Sequence, residues 1–185
     1  MCLDILRNPV KSLLIAKSKR NMNRTLKVLI ETCVVFALAA GVIVAKTGIV
    51  DILLAGSIVT VFLMTLVGFL LFGLIVHVTS STLGGKGKYY EGLTTVAYSM
   101  LPMSAGFLVI ALLSWAPLTI GIQIIVLALA LAVGISLLHR GVKELYRTDM
   151  VTASMAVLIS VLAILLAIYV SVGMSLLNRL AVGML

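Results

Sequence analysis

The residues of this chain best suited to holding a phosphate lie in one short run, Leu83-Gly84-Gly85-Lys86-Gly87-Lys88-Tyr89. Glycines let backbone N–H groups approach an anion, and a lysine beside them neutralises it. A nucleotide-binding loop, however, has the spacing GxxxxGK followed by Ser or Thr, between a strand and a helix. Here the spacing differs, no strand pattern precedes the run, and Tyr89 stands where the hydroxyl residue belongs. The run reads instead as a tight turn between two helices. Gly84 and Gly85 give it conformational freedom, and Lys86 and Lys88 are left to meet anionic headgroups or a partner.

Other reactive side chains are scattered. His77 and His139 suggest a two-histidine metal or proton site, but no acidic third ligand accompanies them. Each also falls at the end of an apolar run, where a cation complements the helix dipole. Cys2 and Cys33 have no CxxC or metal-like spacing. The sequence contains no HExxH, no GxSxG and no paired carboxylates within an apolar run. No catalytic residue, metal ligand or cofactor site is expected, and the chain does not read as an enzyme. Tyr98-Ser99-Met100-Leu101-Pro102 is the remaining feature. Pro102 removes a backbone donor and should kink its helix, and Tyr98, one turn earlier, is placed to offer a hydroxyl. The pair reads as a packing kink or, less simply, as a gating or ligand site.

The elements that carry these residues follow from composition. Of 185 residues, 62% are hydrophobic and 11% charged, against roughly 45–50% and about 25% in soluble domains. Acidic and basic residues are missing between Glu31 and Lys46, Asp51 and Lys86, Glu91 and Arg140, and Asp149 and Arg179. A bilayer crossing needs about 20 apolar residues, so the third run is long enough for two. It breaks at Ser114-Trp115-Ala116-Pro117, where proline stops a helix and tryptophan suits the membrane interface. The expectation is an all-α polytopic membrane protein with spans near 28–46, 51–78, 91–114, 118–139 and 150–178. A basic arm (1–27) precedes the membrane domain (28–178), and a short external tail (179–185) follows it.

With five spans, twelve of the 14 Lys and Arg residues fall on one side: seven in the arm, Lys86 and Lys88, and Arg140, Lys143 and Arg147. Lys46 and Arg179 fall on the other. The positive-inside rule then puts the N-terminus in the cytoplasm and the C-terminus outside the cell membrane. The same distribution argues against nucleic acid, because the net charge of +8 gathers at span ends without interleaved aromatics. In the arm, Asn8 is a plausible N-cap with Pro9 at the first helical position. Val10, Leu13, Leu14 and Lys17 follow helical spacing. An amphipathic surface helix is expected there, with Arg7, Lys11, Lys17, Lys19 and Arg20 facing anionic lipid headgroups or a partner.

Three of these segments, in order, resemble the Yip family of Ypt/Rab-interacting membrane proteins. Asn8-Pro9-Val10-Lys11 is similar to the opening of short prokaryotic members, Leu83-Gly84-Gly85-Lys86-Gly87 to their GGKG loop, and Tyr98-Ser99-Met100-Leu101-Pro102 to their YxxxP element. The resemblance implies a five-helix fold without enzymatic activity. Eukaryotic members act in vesicle traffic and bind Rab-type GTPases. This sequence lacks their long polar N-terminal domain and their DLYGP motif, so the resemblance does not carry GTPase binding over to this chain.

The reading that follows is a non-enzymatic membrane scaffold or partner-binding protein, with small residues such as Ala163 and Ala167 offering a face for self-association. The alternative is a small transporter or channel for an uncharged or lipid-like substrate. No ionisable residue lies deep in a span, which counts against proton coupling. Mild polar residues such as Ser57, Thr65, Ser104 and Ser160 are expected to hydrogen-bond between helices.

Overall fold

In hydrocarbon a backbone must satisfy its own hydrogen bonds, and a long apolar segment does so as a helix. The computed structural model describes residues 22–46, 52–116 and 120–183, and among these every regular element is helical. The helices are α1 (Met22–Lys46), α2 (Ile52–Thr82), α3 (Tyr89–Leu113), α4 (Ile120–Tyr146) and α5 (Met150–Gly183). All five are long and apolar enough to cross a membrane. The expected surface helix lies outside the described residues.

All five helices outrun their expected bounds at one end, α3 by starting at Tyr89 and α5 by continuing to Gly183, into the expected tail. α1 takes in Met22–Lys27, so Arg24 and Lys27 belong to its first turns. α2 continues through Thr79, Ser80, Ser81 and Thr82. The Thr79 hydroxyl donates to the Ile75 carbonyl at 2.8 Å and that of Thr82 to Val78 at 3.0 Å. A run that reads as loop thus folds its own polar groups onto the helix. α4 extends to Tyr146, seven residues past His139. The break between α3 and α4 falls where Trp115 and Pro117 predict it, and Trp115 is exposed.

α3 is the centre of the bundle. It packs against α1, α2 and α4, while α5 rests on α2 and α4. Twelve of its 25 residues are buried, most of them small: Gly92, Thr94, Thr95, Ala97, Ser99, Ser104, Gly106 and Ala111. Small residues let membrane helices approach closely. At the α3–α4 seam a Cβ on Gly141 would fall 2.5 Å from the Thr95 methyl, so only glycine permits this spacing. α1 and α3 run parallel: Thr25 meets Thr94 at one end, and the Lys46 ammonium donates to the Ser114 carbonyl at the other.

Burial is uneven along the bundle. The core of Leu29, Val76, Leu93, Val96, Tyr98, Leu138, Val142 and Tyr146 lies in the half nearest the 83–88 loop, here termed the loop end. In the far half, α2, α4 and α5 have no buried residue among those described, and side chains such as Leu63, Leu129 and Leu166 are exposed. Most interior hydroxyls turn back on their own helix, contrary to expectation. Ser57 donates to Leu54, Thr65 to Val61 and Ser104 to Leu101, at 2.7–2.8 Å. Ser160 bonds its own helix at Ala156 and also reaches across to Thr79, 2.7 Å away.

The helix ends at the loop are closed explicitly. Gly84, at φ +90°, ends α2: its N–H donates to Ser81 at 3.1 Å and that of Gly85 to Ser80 at 2.9 Å. This is the Schellman pattern. α4 ends similarly, with the Thr148 N–H on the Lys143 carbonyl at 3.2 Å, but the left-handed position there is Arg147, at φ +54°. Asp149 then caps α5, accepting from the N–H groups of Val151 and Thr152 and from the Thr152 hydroxyl. Those bonds, the hydroxyl's foremost, hold its carboxyl below the usual range. A side chain in the left-handed region costs about 1 kcal/mol. Arg147→Gly is therefore expected to raise stability by about 1 kcal/mol, read as a higher melting temperature in detergent. Arg147→Ala, which keeps the Cβ, is expected to bring no such gain.

Candidate functional site

Three helix ends converge under the glycine loop: the last turn of α2, the first turn of α3 and the last residue of α4. That last residue, Tyr146, is fully buried. It falls on the helical face already occupied by Leu138 and Val142 (i, i+4, i+8), so the core stripe of α4 delivers an aromatic ring to the loop end. The loop lies directly on this ring. A Cβ on Gly87 would sit 2.4 Å from the ring carbon Cδ1, and one on Gly85 would sit 3.1 Å from the Tyr146 Cβ. The glycines are a fitted cover for Tyr146 as well as a turn.

Hydrogen bonds fasten the cover. The Lys86 N–H donates to the Tyr146 carbonyl at 3.0 Å. The Tyr146 hydroxyl donates to the Lys88 carbonyl at 3.4 Å and lies 3.3 Å from His77 Nδ1. His77 also stacks beside Tyr89, ring centroids 6.3 Å apart. The Glu91 carboxylate accepts the Lys88 N–H, closing the first turn of α3. The Tyr89 hydroxyl reaches the Leu70 carbonyl on α2 at 3.1 Å.

This accounting decides what the loop can do. The N–H groups of Gly84, Gly85, Lys86 and Lys88 all donate within the protein. An anion cradle needs such groups turned outward. The loop therefore does not form one, in agreement with its spacing. What faces outward is charge: Lys86 and Lys88 are exposed, as is Gly84 at the turn.

The other predicted residues separate. Tyr98 is fully buried in α3, and its hydroxyl makes no hydrogen bond among the described residues. It does not serve as the hydroxyl donor suggested by its place one turn before Pro102. α3 runs unbroken through Pro102, which is partly buried. His77 and His139 have different partners, His139 Nε2 lying 3.0 Å from the Ser154 hydroxyl. Among the described residues no group of three His, Cys, Asp or Glu could hold a metal. Arg7, Lys11, Lys17, Lys19 and Arg20 lie outside the described residues.

Sequence reasoning missed Tyr146 and also a polar seam between α1 and α3. There the Thr25 hydroxyl donates to the Tyr90 oxygen and approaches the Thr94 hydroxyl, each at 3.1 Å. The only sequence signal for Tyr146 was its register with Leu138 and Val142.

One of three comparisons with known proteins finds a match. The family model described as the Yip1 domain matches residues 3–172. No curated protein and no solved structure matches the chain.

The Tyr146 ring carries more of this arrangement than its hydroxyl does. Tyr146→Phe is expected to lower stability by about 1 kcal/mol or less, since both hydroxyl contacts are long. Tyr146→Ala is expected to cost about 3–5 kcal/mol by opening a cavity. Thermal denaturation in detergent distinguishes the two.

Proposed function

We propose that this chain, which belongs to the Yip1 domain family, is a non-enzymatic membrane scaffold. Its loop end faces the cytoplasm and serves as its docking face. One observation carries the reading: the glycine loop spends four backbone donors within the protein, that of Lys86 on a buried tyrosine, yet leaves the Lys86 and Lys88 side chains exposed. A loop built this way presents two cations at fixed positions. It suits contact with anionic lipid headgroups or an acidic partner surface.

The charge distribution supports the orientation, because the basic arm and the cluster Arg140, Lys143 and Arg147 join these lysines on one side. The arm residues Arg7, Lys11, Lys17, Lys19 and Arg20 would add to the same face. Close packing at the Gly141–Thr95 seam argues against a transport path along α3. Ala167 is exposed on α5, a position compatible with self-association.

A lysine near an anionic surface contributes about 1 kcal/mol, or about fivefold in binding. With the protein in nanodiscs, the double variant Lys86→Gln/Lys88→Gln is expected to lower photo-crosslinking of the loop to phosphatidylglycerol headgroups by about fivefold per lysine. Crosslinking to phosphatidylcholine is expected to stay unchanged. The scaffold reading also requires a reproducible oligomer or partner complex in native-detergent mass measurement. A strictly monomeric, unaccompanied protein would contradict it.

A further inference from the structure

The uneven burial described above leaves a cleft between α4 and α5. Its upper part, toward the loop end, is an open groove of about 520 Å³ between Ala132, Ile135, Ser136 and His139 on α4 and Ser154 and Val161 on α5. A second, smaller space of about 160 Å³ continues beneath it, floored by Phe72, Met100 and Met103 and sharing Ile135 and Val161. Polarity is ordered along this path. His139 Nε2 and the Ser154 hydroxyl, 3.0 Å apart and both within hydrogen-bond reach of the Met150 carbonyl, mark one end, and the lining deeper down is wholly apolar.

The dimensions suit one kind of occupant. From Ser154 to Leu165, the deepest lining residue on α5, is 11 residues, about 16 Å of helix. Half of the hydrocarbon thickness is about 15 Å. The cleft therefore runs the depth of one leaflet, from a polar mouth to the midplane. Charge at the mouth is favourable. Lys143 follows His139 by four residues and Ser136 by seven, which puts the three on one helical face, and Lys143 is exposed. Arg140 is exposed beside them. Of the nearby acids, Asp149 is engaged in capping α5 and Glu144 is half-buried, so the exposed cations outnumber the exposed acid at the mouth.

We infer that the α4–α5 cleft is a phospholipid site that holds one acyl chain along Ile135 and Val161 and sets an anionic headgroup against Lys143 and Arg140, at the mouth marked by His139 and Ser154. It is separate from the Lys86 and Lys88 surface and does not depend on it. A bound chain would fill the space that helix packing leaves open and make a lipid part of the bundle.

The test is native mass spectrometry of the protein released from vesicles of equal phosphatidylglycerol and phosphatidylcholine. The wild type should retain a single phosphatidylglycerol. Ala132→Phe, which fills the cleft, should lose that adduct, whereas Leu129→Phe on the open lipid face should keep it. Lys143→Gln should keep an adduct but shift its headgroup ratio about fivefold toward phosphatidylcholine. Identical adducts in all four proteins would overturn the site. So would an effect of Lys143→Gln without any effect of Ala132→Phe, because that would describe a headgroup contact with no seated chain. Disulfide crosslinking between copies carrying Ala132→Cys would overturn it as well, by showing that a second subunit closes the cleft.

Discussion

Tyr146 does for the loop end what no helix could do alone. Three helix termini meet there, each with backbone groups that a helix leaves unpaired. The Tyr146 ring fills the space between them, its carbonyl takes the Lys86 N–H, and its hydroxyl meets Lys88 and His77. The glycine at 87 exists in complement to that ring, since a side chain there would collide with it, whereas one at 85 would strike the Ser80 carbonyl and press on Tyr146. Remove the ring and the loop loses the surface that defines its shape. The exposed lysines would then lose their fixed positions.

That constraint also organises the rest of the bundle. α3 starts beneath the loop, capped through Glu91, and its small residues draw α1, α2 and α4 around it. The tight core consequently lies at the loop end, and α2, α4 and α5 face lipid along their far halves. In water such exposed Leu and Ile would be a liability, but in lipid there is no hydrophobic penalty for leaving them outside. Close packing needs to hold only where function or helix ends demand it.

Much of this was legible in the sequence. The charge-free runs marked all five helices, and Trp115 and Pro117 marked the hairpin, because bilayer thickness and the cost of buried charge act on composition directly. Helix ends were less legible. Arg24, Thr79 to Thr82, and Arg140 to Glu144 read as polar connections, yet each is compatible with helix once it passes beyond hydrocarbon or folds its hydroxyl onto a preceding carbonyl. Gly84 was readable as a turn residue. The role of Gly87 was not, because it depends on a ring 59 residues away in the sequence. The same holds for the hydroxyls of Ser57, Thr65 and Ser104, whose choice between their own helix and a neighbour is a tertiary decision. The spacing of the GGKG run argued against a phosphate cradle, and the amides of Gly84, Gly85, Lys86 and Lys88, all bonded within the protein, agree with that.

The most direct test of this account is hydrogen–deuterium exchange of the loop amides in the membrane-embedded protein. If Tyr146 fastens the loop, the Lys86 amide exchanges slowly, protected like the adjoining turns of α2 and α3, despite its place in a short exposed segment. Exchange of Lys86 at the rate of an unstructured peptide would contradict the account, because it would mean that the loop does not rest on the buried tyrosine.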